Sequence, residues 1–130
     1  MAQLQGIQPP WPVNTLAAEV GTWLLESAAQ ALADSRSRLQ TARRDLAADL
    51  SRFPGFRVFP SDANFLFGCL SGVPGVRAVS EELKGRGILI RCCDGFEGLD
   101  PDRFLRVAVL RPEGNRKLIH ALADIFDHAG

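Results

Sequence analysis

Between about Glu26 and Phe53, apolar or small residues recur every three or four positions, at Ala28, Leu32, Ser35, Leu39, Ala42, Leu46, Leu50 and Phe53. That is the period of one face of an α-helix, and it predicts one long amphipathic helix. Arg36, Arg38, Arg43, Arg44, Asp45 and Asp49 fall mostly off this stripe and read as a solvated face. Ahead of it, Asn14 offers an N-cap to TLAAEVGTWLLESAAQAL, whose alanine and leucine content favours helix, with Gly21 as a point of interruption. Gly6, Pro9, Pro10 and Pro12 around Trp11 favour an extended lead-in, so residues 1–13 read as a linker and 14–130 as one domain.

Pro54-Gly55 stops the long helix, and the pattern then changes period. FRVFP alternates as a short strand does, Ser61-Asp62 favours a turn, and Asn64 to Leu70 (NFLFGCL) reads as a second, largely buried strand. After Gly72, Pro74 and Gly75, the segment VRAVSEELKGRG places Val76, Val79 and Leu83 at helical spacing and stops at Gly85 or Gly87. ILIR is a strand ending in Arg91, CCDGFEGLDPDR a polar loop, and FLRVAVL a further strand. Pro112 suits the first turn of a closing helix. The order α-α-β-β-α-β-β-α predicts an α+β domain with a small, mostly antiparallel sheet of about four strands and helices packed on it.

Composition narrows the chemistry. A length of 130 residues fits one domain with a modest core. Fifteen basic residues balance fifteen acidic ones, so no overall basic field exists to hold nucleic acid or an anionic membrane, and anion recognition has to be local. No apolar run approaches the roughly 20 residues that span a bilayer, and the first residues lack a secretory pattern. Cys69, Cys92 and Cys93 form neither an even framework nor a CxxC pair, and read as ordinary reduced thiols of a cytoplasmic protein. His120 and His128 stand i and i+8 on the closing helix, distant from the cysteines, so no metal site is expected.

Three stretches, QPPWPVN at 8–14, SDANFLFGCL at 61–70 and RGILIRCCDGFEGLDPDRFLRVAV at 86–109, resemble the C-terminal small domain of the threonine-phosphate decarboxylase and histidinol-phosphate aminotransferase family. The resemblance runs from Gln8 to the closing helix and implies pyridoxal phosphate as the cofactor of the intact enzyme. It also implies that the cofactor lysine lies in a large domain, before the QPPW-like segment. Neither lysine of this chain reads as an anchor. Lys84 sits on the short helix beside two glutamates and Lys117 on the last helix, whereas such a lysine needs burial or a cationic neighbour.

By that resemblance Arg106 clamps the substrate carboxylate and Arg91 contacts its phosphate; a guanidinium fork matches either anion bidentately, which an ammonium cannot. The alternative is that Arg91 is a solvated strand end and Arg106 an ion-pair partner of Asp94 or Asp102. Family members often carry an aspartate directly after the first arginine, where this chain has Cys92. Trp11, Asn14 and Asn64 are further candidates to line the site, with Asn64 also suited to capping a turn.

The expected function is that of a substrate-clamping domain of a decarboxylase converting O-phospho-L-threonine to aminopropanol phosphate for cobalamin assembly, inactive alone and without cofactor of its own. A histidinol-phosphate or related aminotransferase is the alternative within the family. A stand-alone amino-acid-binding or dimerisation module is the alternative of another class. The expected partners are a phosphorylated amino acid and either a large domain or a second copy that covers the apolar area left by its loss.

Overall fold

A computed structural model of the chain describes residues 12–72 and 74–128. The chain divides into two units, Met1–Ser37 and Arg38–Gly130. In the first lies α1 (Thr15–Ser27), opened by Asn14, whose side-chain oxygen accepts a hydrogen bond from the Ala17 N–H at 2.8 Å. No residue of α1 is buried; Leu16, Trp23 and Leu25 are exposed. The next helix, α2, runs Ala29–Leu50. The interruption falls at Ala28, whose N–H closes onto the Leu24 carbonyl, while Gly21 stays helical. The expected helix from Glu26 to Phe53 is therefore shorter at both ends. The helix ends at Leu50, ahead of Pro54-Gly55, and Gly55 in the turn that follows takes φ +73, a backbone that costs glycine little.

The second unit builds a sheet from β1 (Phe56–Val58), β2 (Phe65–Leu70), β3 (Arg91–Cys92) and β4 (Phe104–Ala108). Its order is β1-β2-β4-β3 and every pairing is antiparallel. The remaining helices are α3 (Val76–Gly85) and α4 (Pro112–His128). The α+β class and the element order expected from the sequence hold. The third strand is shorter than ILIR: Ile88 and Ile90 lie outside the ladder and pack on the core, while Leu89 is 81% exposed.

Strand side chains alternate between faces. One face sends Phe56, Leu66, Leu70, Leu105 and Val107 into a core shared with Leu46 and Leu50 of α2, Val76, Val79 and Leu83 of α3, and Leu118, Leu122 and Ile125 of α4. Of the long helix's stripe only the positions from Leu39 onward join this core. Asn115 is the buried polar residue here; its amide accepts from the Leu110 N–H at 2.9 Å and donates to the Leu110 carbonyl at 3.1 Å, tying the exit of β4 to α4.

Candidate functional site

The second face of the sheet carries different chemistry. Phe67 and Phe104 stack at 5.5 Å between centroids and Phe59 joins them at 5.2 Å from Phe67, all half-buried. Beside this ladder, Arg91 on β3 stands directly opposite Arg106 on β4. Antiparallel partners have Cα atoms about 4.5–5.5 Å apart, and like charges so placed repel.

Each guanidinium rests on an aromatic ring. The Arg106 carbon Cζ lies 3.8 Å from the Phe65 centroid, and that of Arg91 lies 5.8 Å from the Phe96 centroid. Arg106 is half-buried, and its Nε is buried with no hydrogen-bond partner among the described residues. Arg91 is exposed. Neither arginine has an acidic partner within 4.0 Å among the described residues.

The two carboxylates nearest in sequence are engaged elsewhere. Asp94 takes the Arg77 Nε–H at 2.8 Å, and Asp102 accepts the Arg77 backbone N–H at 2.5 Å. The structural ion pair considered for Arg106 is therefore not formed. The Arg77 hydrogen bond, helped by the Asp102 N–H, holds the Asp94 carboxyl below its ordinary range.

Cys93 is 2% exposed; burial pushes its thiol up, against the opposing pull of Arg106 and Arg91. Cys92 packs on the core instead. Alternation along the strand thus sends the adjacent thiols to opposite faces. Among the described residues no cluster of three or more His, Cys, Asp or Glu side chains is arranged to hold a metal. No helix of the described residues is long and apolar enough to cross a membrane.

The other candidates separate. Asn64 is exposed and its carbonyl accepts the Val109 N–H at 2.9 Å, extending the ladder by one step. Asn14 caps α1. Trp11 lies outside the described residues. His120 and His128 are exposed on α4. Sequence reasoning missed Phe65 and Phe96 as the rings beside the two arginines, and Phe59, Phe67 and Phe104 as the stack on the same face. The alternating FLF of NFLFGCL was the available signal, because residues two apart share a face.

A groove of about 450 Å³, whose lining includes Ala78, Glu82, Arg86, Asp124, Ile125 and His128, does not include Arg91 or Arg106 and is crossed by the 2.6 Å Arg86–Asp124 ion pair.

No family model matches the chain. It is 38% identical over 127 residues to the histidinol-phosphate aminotransferase of Roseiflexus castenholzii, covering 92% of this chain and 32% of that protein. Among solved structures, the histidinol-phosphate aminotransferase from Clostridium acetobutylicum superposes with a TM-score of 0.80 at 26% identity, covering 98% of this chain and 37% of its own. The L-threonine-O-3-phosphate decarboxylase from Porphyromonas gingivalis does so with a TM-score of 0.69 at 29% identity, over 97% and 38%. The chain spans about a third of the length of these relatives. It is a small domain homologous to that of the histidinol-phosphate aminotransferases and threonine-phosphate decarboxylases.

Proposed function

We propose that this chain is the substrate-clamping domain of a pyridoxal-phosphate-dependent threonine-phosphate decarboxylase, with Arg106 on the substrate carboxylate and Arg91 on its phosphate. The observation that carries this reading is the pair of arginines directly opposite each other on β3 and β4, without a carboxylate partner among the described residues. Two facing cations destabilise a bare sheet, and a bound polyanion turns that repulsion into attraction. O-phospho-L-threonine offers two anionic groups to two guanidiniums. Histidinol phosphate offers its phosphate alone.

The cofactor, when bound, supplies the electron sink of the chemistry. The lysines of this chain do not fit its anchor: Lys84 is exposed and lies 3.4 Å from Glu81, and Lys117 is exposed on α4. An activated lysine is usually desolvated or beside another cation. The anchor is therefore assigned outside this chain. What Arg91 and Arg106 do is bind and orient, since a substrate held at two points presents one chosen bond to the reactive group. The chain alone is expected to turn over no O-phospho-L-threonine.

A second reading, the small domain of a histidinol-phosphate aminotransferase, is favoured by the 38% identity to the Roseiflexus protein and the TM-score of 0.80 to the Clostridium one. Calorimetric titration of the chain with each compound separates the two. The first reading expects O-phospho-L-threonine to bind more tightly, and Arg91→Ala and Arg106→Ala each to weaken it about 10- to 100-fold, the worth of one charge-assisted contact. Tighter histidinol phosphate binding, sensitive to Arg91→Ala alone, would favour the aminotransferase. Unchanged binding of both compounds in both variants, or robust turnover by the chain alone, would overturn the proposal.

A further inference from the structure

The loop between β3 and β4 is fastened from a distance. Asp94 near its start accepts the Asp102 N–H at 2.7 Å, closing the loop at its base, and accepts the Arg77 Nε–H at 2.8 Å. Asp102 turns back to α3: its carboxylate accepts the Arg77 N–H at 2.5 Å and its carbonyl the Val76 N–H at 3.3 Å. These are first-turn amides that a helix leaves without internal partners. The residue at the cap position, Gly75, has no side chain to satisfy them.

A Cβ at Gly75 would collide with the Asp102 carboxylate, so glycine there admits the distant cap. Asp102 itself holds φ +58, a left-handed backbone that few residues with a side chain adopt and that persists where surrounding bonds over-determine it. The loop so pinned carries Phe96, whose N–H bonds the Cys93 carbonyl at 3.3 Å and whose ring faces the Arg91 guanidinium.

We infer that Arg77, Asp94 and Asp102 form a positioning clasp for Arg91, acting through Phe96. Arg91 is an exposed side chain with many rotamers and no ion-pair partner among the described residues, and the Phe96 ring is the aromatic surface over which its guanidinium lies, at 5.8 Å. The clasp matters to function only on the reading that Arg91 binds an anion. Its structural effect is independent of that reading. Arg106 needs no such device, because the ring of Phe65, on the adjoining strand β2, lies 3.8 Å from its guanidinium carbon.

The test is nuclear magnetic resonance of the arginine Nε–H groups in the full chain, with sulfate titrations alongside. Phe96→Leu, Arg77→Ala and Asp94→Asn are each expected to move the Arg91 signal to the position of a freely solvated arginine while the Arg106 signal stays in place. Each is also expected to weaken sulfate binding about fivefold, the lower end of measured coupling between sites. Arg77→Lys, which keeps the charge but loses the fork, should restore only part of both effects.

An Arg91 signal unchanged in Arg77→Ala and Asp94→Asn overturns the inference. If Arg77→Ala fails to fold, Phe96→Leu, at a residue 45% exposed, decides the last link, and an unmoved Arg91 signal there overturns it equally. Absence of sulfate binding by the unaltered chain sinks the anion-binding reading instead, and leaves the Arg91 signal to decide the clasp.

Discussion

On the covered face of the sheet, Leu66, Leu105 and Val107 are no more than 5% exposed and meet only apolar neighbours from three helices. On the other face, one residue along the same strands, Phe65, Phe67 and Phe104 keep partial exposure, and two arginines face each other with no ion-pair partner among the described residues. The first face satisfies every rule of a stable core. The second leaves a buried donor, the Arg106 Nε, without a partner among the described residues. Folded proteins leave few such groups unpaired within the protein. The difference shows that the two faces of one strand carry different chemistry, apolar packing on one side and cationic and aromatic side chains on the other.

The comparison breaks most visibly if the covered face is cut. Leu83→Ala, at a side chain with no exposure, is expected to cost about 2–5 kcal/mol by lost transfer energy and a residual cavity. Urea denaturation measures it. Asn115→Ala removes both bonds to Leu110 and strands backbone groups at the exit of β4, for an expected loss of about 1–3 kcal/mol by the same assay.

On the other face, Arg106→Ala is expected to change stability by less than about 1 kcal/mol. The lost contact with Phe65 and the relieved repulsion from Arg91 are of similar size and opposite sign. Large destabilisation with unaltered anion binding would make Arg106 a structural residue and erase the contrast.

The smallest effect concerns acid. Because Arg77 holds the Asp94 carboxyl below its ordinary range, this pair contributes stability that is complete above the unfolded carboxyl range and lost as the pH falls through the folded value. The stability gap between the unaltered chain and Arg77→Ala should therefore be present at neutral pH and shrink on acidification. A gap that widens in acid would show that Arg77 acts through something other than Asp94.

Much of the fold was legible because it is local. The three- to four-residue period of the helices, the alternation in FRVFP and NFLFGCL, Asn14 as a cap and Pro54-Gly55 as a turn all act within a few residues, and each element lies within a few residues of where the pattern indicated. The exceptions are instructive. Gly21 has a low helix propensity yet continues α1, while Ala28, with the best propensity, is where the helix breaks. The isoleucines of ILIR read as a strand, but their side chains pack on the core beside the ladder instead of within it. Single-residue propensities are small, and packing overrides them.

Of the candidate site, the sequence by itself determined the residue types: two arginines on predicted strands, with phenylalanines at alternate positions of the FLF stretch whose place beside them went unread. Only the tertiary structure decided that Arg91 stands opposite Arg106, because that register joins residues 15 apart around a loop and depends on which strands pair. It also decided that Asp94 and Asp102 serve Arg77, 17 and 25 residues away, and not the arginines beside them in sequence. Periodicity and caps are read within one turn or one pleat. Contacts across a loop are set by the balance of closure entropy against the packing it permits, and that balance is written in no short stretch of sequence.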